Sequence, residues 1–437
     1  MRRRALLLLL LLCTVGLRCA RNQERAALDE PITPPGSVER EPYLVTVTDS
    51  SAVVRWTTYQ AAQPGIRFWT EADTTELVLP ESGRNHTFQM LNLQPATEYS
   101  YQIQINDTLW SDVTGFRTFP EPGSKEPFTF IAFGDTGTRN SGQLALARVL
   151  NQEEPAFLIH MGDLAYPDGT AAEYTANHFG VYAPLLKRAA VFPSPGDHDF
   201  RTRLGEVYAE TFTPPGGRDS GSPFYYTFTY GNTRFISLDT KEDEEHARRY
   251  GYIGDPSSEQ YQWLLRQLSA ARRDPGIDWI IVYTHHAPYS ASSGFAGHGS
   301  HLPTRRTLGP LMDGYRVPLV FSGHDHDYQR SEPVRGNQIA DAGEGTVYVV
   351  AGGGGGRWTF RGTGADWFTA YADQRYSFVR VHVDHYDLRL EAVGTNGEVF
   401  DSWETSISED RRKPEIRPAT PLTMDGEPAA ATEGDSN

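Results

Sequence analysis

The sequence predicts two folded units, a small all-β unit followed by a larger α/β unit. Between residues 40 and 120, stretches such as YLVTV, AVVRWTT and YSYQIQI alternate apolar with polar residues and are separated by Gly, Pro, Asn and Asp, which is typical of an antiparallel β-sandwich. From residue 126 to residue 407, apolar runs alternate with stretches of helical periodicity such as SGQLALARVLN, PSSEQYQWLLRQLSAA and PTRRTLGPLMDGY, which indicates packed α and β layers. Within this unit, residues 376–407 contain three strand-like runs and predict a C-terminal β-meander.

The first residues are typical of a targeting segment. MRRR followed by ALLLLLLLCTVGL gives a positive start and a short apolar stretch, so we expect residues 1–20 to be a secretory signal. The mature protein should then be exported, secreted or periplasmic, without a transmembrane helix. Both cysteines, Cys13 and Cys19, lie in or beside this segment, and no disulfide framework is expected in the folded part. A lipid anchor on Cys19 is an alternative, although Arg18 stands where lipoprotein signals prefer a small residue.

The flanks and the composition restrict the remaining classes. Residues 21–39 are expected to be a linker. Residues 408–437 are expected to be a disordered acidic tail, because this stretch contains hardly any large apolar residue. The 437 residues are 38% apolar and 12% aromatic, which is enough for buried cores. The formal net charge of -16 argues against a nucleic-acid scaffold or an anionic membrane surface as partner. An anionic ligand would have to be attracted locally.

Five short apolar runs in the middle of the chain each end in a residue type that binds metal ions. These residues are Asp135, Asp163, Asp197, His285 and His324. Buried strands read as continuous apolar stretches, and open α/β sheets bind ligands beyond the carboxyl ends of their strands, so we expect the five side chains to meet in one cleft. Together with His326, these carboxylates and imidazoles suit iron, zinc or manganese better than magnesium or calcium.

The candidate ligands are too many for one tetrahedral ion. Two ions that share a bridging carboxylate, about 3.5–4 Å apart, would use them all, and phosphatases contain sites of this kind. The sequence therefore predicts a binuclear hydrolase. Tyr166, three residues after Asp163, adds a phenol that ionises at neutral pH only beside a strong Lewis acid, which favours a ferric ion.

Five blocks of this sequence resemble those of the purple acid phosphatases, within the calcineurin-like metallophosphoesterases. The blocks are GDTG (Gly134 to Gly137), GDLAY (Gly162 to Tyr166), GDHD (Gly196 to Asp199), VYTH (Val282 to His285) and GHDH (Gly323 to His326). The resemblance implies a ferric site formed by Asp135, Asp163, Tyr166 and His326. It implies a divalent site, for zinc, manganese or ferrous iron, formed by Asp163, Asp197, His285 and His324, with Asp163 as the bridge.

The same resemblance implies an architecture. The catalytic unit, residues 126–407, should be a four-layer α/β/β/α sandwich, and residues 40–120 a fibronectin type III-like domain. In that domain, LQPATEY (Leu93–Tyr99) resembles a tyrosine corner, and Trp56 is the expected core tryptophan. The run Gly352 to Gly356 lacks the spacing of a nucleotide-binding loop and is interpreted as a tight turn near the metal cleft.

One block departs from the family pattern, because Asp197 stands where the family has Asn. Three carboxylates and the Tyr166 phenolate would then set four negative charges against the five positive charges of a ferric and a divalent ion. We expect a tighter hold on the divalent ion, a weaker attraction for phosphate and a less acidic metal-bound water.

The expected function is hydrolysis of phosphomonoesters, an acid phosphatase activity on a small substrate, by attack of a metal-bound hydroxide. The leaving oxygen needs a proton, and His198 and His298 are the candidate catalytic residues outside the metal set. By family likeness, His198 contacts phosphate and His298 is the acid, with His301 as an alternative. His286 follows a ligand directly and, on a strand, should face the opposite side.

Two other function classes remain open at this point. A phosphodiesterase or nucleotide hydrolase would share all the metal ligands and differ in the walls of the pocket. An exported binding or adhesion protein with a decayed phosphatase site should have lost ligands, and among the family positions only Asp197 differs.

Overall fold

The computed structural model describes residues 38–407, apart from residues 72, 79–81, 107–108, 213–219, 293–297 and 359–365. The predicted signal at residues 1–20, the anchor at Cys19 and the tail at residues 408–437 lie outside the described residues, as does most of the predicted linker at residues 21–39. Within the described part of the chain, no helix combines the length and the apolar character needed to cross a membrane.

The N-terminal unit consists of two antiparallel sheets. The first has the order β1–β2–β5 and is formed by β1 (Val38–Val47), β2 (Ser51–Ala62) and β5 (Gly83–Leu91). The second has the order β4–β3–β6–β7 and is formed by β3 (Gly65–Trp69), β4 (Thr74–Val78), β6 (Glu98–Ile103) and β7 (Thr114–Arg117). Trp56 is buried between them, and the hydroxyl of Tyr99 accepts a hydrogen bond from the backbone N–H of Gln94 at 3.0 Å, five residues upstream.

The larger unit contains a six-stranded and a seven-stranded sheet. The six-stranded sheet has the order β10–β9–β8–β20–β21–β22 and is formed by β8 (Phe128–Phe133), β9 (Phe157–His160), β10 (Ala190–Pro193), β20 (Ser377–Asp384), β21 (Asp387–Gly394) and β22 (Val399–Ser406). Its first three strands are parallel, and β20 to β22 pair antiparallel as consecutive neighbours, which is a meander.

The seven-stranded sheet has the order β11–β12–β13–β14–β18–β15–β19. It is formed by β11 (Tyr226–Tyr230), β12 (Thr233–Ser237), β13 (Trp279–Tyr283), β14 (Leu319–Ser322), β15 (Tyr328–Ser331), β18 (Val347–Ala351) and β19 (Thr369–Asp373). Strands β12, β13, β14 and β18 run parallel, so their carboxyl ends lie at one edge. A separate two-stranded ribbon pairs β16 (Val334–Arg335) with β17 (Gln338–Ile339).

Helices cover the outer faces of both sheets. They are α1 (Ser141–Leu150), α2 (Ala171–Glu173), α3 (Gly180–Leu186), α4 (Glu206–Thr211), α5 (Glu244–Tyr250), α6 (Glu259–Arg273) and α7 (Leu302–Gly314), with a π-helical turn at Tyr174–Phe179 and 3-10 turns at His198–Phe200 and Arg203–Gly205. Helix α6 begins where the side chain of Ser258 accepts the N–H of Tyr261, and it buries Trp263, Leu264 and Leu268 on one face. The predicted helical stretches correspond to α1, α6 and α7.

Alternation along the strands divides the core into layers. On β8, Phe130 and Ala132 pack in the cluster between the two sheets, whereas Ile131 and Phe133 pack with residues of α1 and α3. A third cluster packs α6 and α7 on the seven-stranded sheet. The predicted four-layer α/β/β/α fold with an all-β N-terminal unit is therefore confirmed.

The two units share one hydrophobic cluster. The ring of Phe119, at the end of the N-terminal unit, lies 5.6 Å from the ring of Phe157 and 4.7 Å from that of Tyr230. The hydroxyl of Tyr101 donates a hydrogen bond to the carbonyl of Lys187 at 2.7 Å. The N-terminal unit is therefore fixed on the catalytic unit by apolar and polar contacts.

Candidate metal centre

The seven predicted metal-binding side chains lie together at the carboxyl ends of the strands of both sheets. Asp135, Asp163 and Asp197 follow β8, β9 and β10, and His285, His324 and His326 follow β13 and β14. Six of the seven, all but Tyr166, form two groups together with His286, and within each group one ligand atom per residue lies within 4.8 Å of all the others. The first group is Asp135, Asp163 and His326, and the second is Asp197, His285, His286 and His324.

Three of these residues have strained backbones. Asp135, Asp163 and His324 have φ angles of 57°, 55° and 68°, a left-handed conformation that residues with a side chain seldom adopt. Such a conformation costs about 1–3 kcal/mol and is common at functional sites. Each lies in the loop that follows a strand, and the left-handed conformation directs its side chain toward the other candidate ligands.

The glycine before Asp163 permits close approach of two loops. A Cβ atom on Gly162, whose φ is +85°, would lie 2.6 Å from the backbone nitrogen of Gly196. A Cβ atom on Gly196 would lie 2.3 Å from the backbone nitrogen of Asp163. The two Gly-Asp motifs therefore touch through their backbones, and a larger residue at either position would separate Asp163 from Asp197.

Asp199 fastens these two loops and was not singled out from the sequence. Its carboxylate accepts the backbone N–H groups of Asp163 at 2.8 Å, Leu164 at 3.2 Å and Gly196 at 2.8 Å, and the hydroxyl of Tyr174 at 2.7 Å. Burial, followed by the charge of Asp163, raises the pKa of Asp199 to about 7. The only sequence signal was that it is the second Asp of GDHD.

Tyr166 lies within the first group. Its hydroxyl is 2.9 Å from Asp163 Oδ2, 3.0 Å from His326 Nε2 and 3.4 Å from Asp135 Oδ1. Burial and the two neighbouring carboxylates raise the pKa of Tyr166 well above its ordinary value. The phenol would therefore ionise only if a strong cation replaced its proton.

Two histidines have the orientation that metal ligands adopt. The Nδ1 of His285 lies 2.7 Å from the carbonyl oxygen of Met161, and the Nδ1 of His326 lies beside the carbonyl oxygen of Arg357. A carbonyl only accepts, so in each neutral ring the proton sits on Nδ1 and the lone pair of Nε2 faces the group.

The charge of the site also fits cations. Asp135 and Asp163 are 0% and 2% exposed, and buried carboxylates are costly unless a cation neutralises them. Burial opposes protonation of His285, but the neighbouring carboxylates, Asp163 foremost, outweigh it and raise its pKa to about 9. Oxygen donors dominate the first group and nitrogen donors the second, a set that suits iron and zinc.

Asp197 faces a different partner with each carboxylate oxygen. Its Oδ2 lies 3.4 Å from Nδ1 of His324 and 3.9 Å from Nε2 of His285. Its Oδ1 accepts a hydrogen bond from Nζ of Lys241 at 2.6 Å. Lys241 lies 44 positions away in the loop after β12, and no motif in the sequence pointed to it.

The prediction that His286 faces away from the site is wrong. Its Nε2 lies 3.3 Å from Asp197 Oδ2, and its ring centroid is 4.7 Å from that of His324. Strand β13 ends at Tyr283, and His286 lies in a bend beyond it, where the alternation of side chains along a strand no longer applies.

The three histidines considered for catalysis lie at different places. The ring of His198 lies 4.2 Å from that of Tyr166, and its backbone N–H donates to Asp163 Oδ1 at 2.8 Å. His298 lies beside the centre, with its ring 4.6 Å from that of His324. His301 is the N-cap of α7, and its Nε2 lies 3.3 Å from the exposed carboxylate of Glu242.

The glycine run packs beneath the ligands. The backbone N–H of Gly356 donates to the carbonyl of Asp135 at 2.7 Å, and a Cβ atom there would lie 2.5 Å from Nδ1 of His326. A Cβ atom on Gly352 would lie 2.8 Å from Asp135 Oδ2. This close packing agrees with a tight turn near the metal cleft.

Two family models match the larger unit. Residues 128–328 match the calcineurin-like phosphoesterases, and residues 345–402 match the iron/zinc purple acid phosphatase-like protein C family. The two matches together include the seven predicted ligands and the glycine run.

Several curated proteins are similar in sequence. An uncharacterized protein of Mycobacterium tuberculosis is 30% identical over 319 residues, which cover 62% of this chain and 58% of that protein. A probable inactive purple acid phosphatase of Arabidopsis thaliana is 26% identical over 74% of this chain and 58% of its own length. A nucleotide pyrophosphatase/phosphodiesterase of Hordeum vulgare is 27% identical over 68% of this chain and 87% of its own length. The chain thus spans less than two thirds of the first two relatives.

Two solved structures have the same fold. Purple acid phosphatase PPD1 from yellow lupin (Lupinus luteus) seeds superposes with a TM-score of 0.74, at 21% identity, over 91% of this chain and 78% of that one. PhoD superposes with a TM-score of 0.63, at 15% identity, over 86% of this chain and 90% of that one.

Proposed function

Because its larger unit belongs to the calcineurin-like phosphoesterases and ends in a purple acid phosphatase-like region, we propose that this chain hydrolyses phosphate monoesters with the help of two bound metal ions. The observation that carries the proposal is the convergence of carboxylates, imidazoles and a phenol from five separate strand ends into two adjoining groups. An isolated Asp or His after a strand would carry little weight.

The ligands divide between the two ions by their donor atoms. Asp135, Tyr166 and His326 would hold a ferric ion, and Asp197, His285 and His324 a divalent ion of zinc, manganese or iron, with Asp163 between them. Two such cations would activate water for attack on phosphorus and offset the charge on the phosphoryl oxygens.

The chain's own residues would handle the substrate. His198, at the edge of the first group, is placed to contact a phosphoryl oxygen, because its ring packs on Tyr166 and its backbone is tied to Asp163. His298 would protonate the leaving oxygen. Its partner Asp325 distinguishes it from His301, whose ring caps a helix.

A second candidate is hydrolysis of phosphodiesters or nucleotides. The sequence similarity to the barley nucleotide pyrophosphatase/phosphodiesterase favours it, because that relative is matched over 87% of its length. The metal ligands serve both reactions equally well, and only the pocket walls would separate them. An exported binder with a decayed site is the third candidate, and the complete set of ligands supports it least.

The experiment compares two substrates on one purified protein. We expect two metal ions per chain by elemental analysis and a higher kcat/KM for 4-nitrophenyl phosphate than for its bis-ester. The Asp163→Asn variant should lose at least about 100-fold in kcat/KM, and Asp168→Asn, on the same loop but 57% exposed, serves as the matched control.

Each other outcome assigns a different function. A preference for the bis-ester would replace the proposal with the phosphodiesterase. Two bound metals without hydrolysis of either ester would exclude both hydrolases for these substrates. A protein that binds no metal when reconstituted with iron and zinc would exclude both hydrolases and leave the third candidate, an exported binding protein with a decayed phosphatase site.

A further inference from the structure

Asp197 carries a charge that Asn, the residue of the resembling family, would not. Its Oδ2 faces the imidazoles of the second group, and its Oδ1 is bound by Nζ of Lys241 at 2.6 Å. The carboxylate therefore offers one oxygen to a metal ion and the other to a cation that belongs to the chain itself.

Lys241 is held in place by its own surroundings. Its backbone N–H donates to Oδ1 of Asp239 at 3.0 Å, and Oδ2 of the buried Asp239 binds Nε2 of His246 at 2.6 Å. The side chain of Lys241 is 23% exposed. A second carboxylate, that of Asp243, lies 3.6 Å away, so Asp197 is the closer ion-pair partner. The ammonium group of Lys241 thus points toward Asp197 in the second group of candidate ligands.

His286 completes the hold on Asp197. The hydroxyl of Thr240 accepts hydrogen bonds from the hydroxyl of Thr284 at 3.0 Å and from the backbone N–H of His286 at 3.2 Å. Its own hydrogen is therefore left for Nδ1 of His286, which lies 3.0 Å away. The neutral ring then carries its proton on Nε2, which faces Asp197 Oδ2 at 3.3 Å. In this state His286 is a donor to Asp197 and not a metal ligand.

The ion pair changes the charge balance expected from the sequence alone. Asp197 adds one negative charge to the ligand set, and Lys241 adds one positive charge in direct contact with it. The pair is neutral, as an amide would be. Partly buried charges are screened little by salt, so the loss of either partner would change the field on ions and substrates in the cleft.

We propose that Lys241 is the charge-compensating residue of the second metal site, and that it preserves the affinity of this site for phosphate in the presence of Asp197. The proposal rests on the proposed function, because it concerns the same site. It makes Lys241 and Asp197 interdependent: without Lys241 the binding of phosphate weakens, and without Asp197 the binding of the metal ion weakens.

The test is a double-mutant cycle with two binding measurements. The variants are Lys241→Met, Asp197→Asn and the double variant, and the readouts are the affinity of the metal-loaded protein for inorganic phosphate and the affinity of the metal-depleted protein for Zn²⁺, both by calorimetry. Lys187→Met is the matched control, because Lys187 forms a similar ion pair with Glu41 at 2.8 Å, in the interface with the N-terminal unit.

Net charge gives the sign of each change. Lys241→Met leaves an unpaired anion, so phosphate should bind about tenfold more weakly and Zn²⁺ about tenfold more tightly. Asp197→Asn leaves Lys241 with only the more distant carboxylate of Asp243, so the charge beside the metal site becomes more positive and both affinities should change in the opposite direction. In the double variant, both affinities should return to within about threefold of the starting protein.

Two results would overturn the proposal. If both single variants weaken the binding of phosphate and Zn²⁺ alike, Lys241 only holds the site together. If Lys241→Met changes neither affinity, the ion pair has no role. A protein that binds both ions and phosphate but hydrolyses no ester would refute the proposed function and leave these shifts measurable, whereas a protein that binds no second ion would refute both.

Discussion

The imidazole of His298 is oriented by the carboxylate of Asp325. Nδ1 of His298 lies 3.1 Å from Oδ1 of Asp325, which is fully buried and also accepts the backbone N–H of Gly299 at 3.0 Å. A carboxylate only accepts, so Nδ1 keeps its proton and Nε2 is the nitrogen that exchanges a proton with a substrate. This arrangement is the one that a proton donor requires.

We predict that Asp325→Asn slows turnover mainly for substrates with poor leaving groups. The neutral amide neither orients the ring nor balances the charge of a protonated His298 as the carboxylate does, so proton transfer to the leaving oxygen should be less efficient. We expect kcat for an alkyl phosphate to fall about 10–100-fold and kcat for 4-nitrophenyl phosphate much less, because nitrophenolate leaves without a proton. Steady-state kinetics across pH provide the measurement.

The control for this prediction is Glu242→Gln, which removes the partner of His301 instead. It should leave the ratio between the two substrates unchanged. If Glu242→Gln lowers alkyl phosphate turnover and Asp325→Asn does not, His301 is the proton donor.

We predict that Tyr166→Phe removes the visible absorption of the iron-loaded protein. The Tyr166 hydroxyl is the phenol within 3.0 Å of both Asp163 and His326, and charge transfer from a phenolate to ferric iron gives a purple colour. Tyr174→Phe is the control, because this buried tyrosine binds Asp199 and not the candidate ligands. A band that persists in Tyr166→Phe, with iron still bound, would refute the ferric assignment at this residue.

We predict that Asp199→Asn weakens both metal binding and folding. An amide presents one acceptor where the carboxylate serves three backbone N–H groups, so at least one donor would lose its partner at a cost of about 1–3 kcal/mol. Thermal unfolding of the metal-depleted protein isolates the effect on folding, and metal analysis reports the effect on the site. Equal stability and equal metal content in the variant would mean that the two loops hold their position without Asp199.

We predict that His178 makes the protein less stable in acid. Neither ring nitrogen of His178 has a hydrogen-bond partner among the described residues, and burial followed by the charge of Arg40 lowers its pKa to about 3. Between pH 6.5 and 3 the unfolded chain takes up a proton that the folded chain does not. Stability is therefore lost as pH falls through this window, by at most about 5 kcal/mol.

The measurement is the free energy of unfolding of His178→Phe against that of the parent, in denaturant, from pH 7 to pH 4. The variant should lose less stability on acidification. His385→Asn is the control, because His385 is 56% exposed and Asn tolerates its φ of 56°. Parallel pH curves for the parent and His178→Phe would contradict the prediction.

The sequence predicted a ligand correctly where one strand and the turn after it contain all the residues on which the prediction depends. Asp135, Asp163 and His285 each follow a continuous apolar run, and such runs identify buried strands whose ends meet at one edge. The helices α1, α6 and α7 were equally visible, because a helix period is a local property. The buried position of Trp56 was expected from the resemblance to a fibronectin type III domain.

The rest depends on contacts between distant segments. Lys241 and Asp325 are charged residues in loops, and such residues are usually solvated, so their ion pairs appear only when the chain is folded. His286 was placed wrongly because the alternation of a strand was extended past its last residue. The role of Phe119 was hidden for a similar reason, since a single aromatic residue near a linker has no periodicity.

Phe119 packs with the core of both units, so neither unit has a complete apolar interior without the other. A catalytic unit from which the N-terminal unit, with Phe119, has been removed would expose Phe157 and Tyr230 to water and should aggregate. Heating the intact chain should accordingly give one calorimetric peak and not two. A destabilising substitution in the N-terminal sheets should then lower the unfolding temperature of the catalytic unit as well, although it makes no contact with the metal centre.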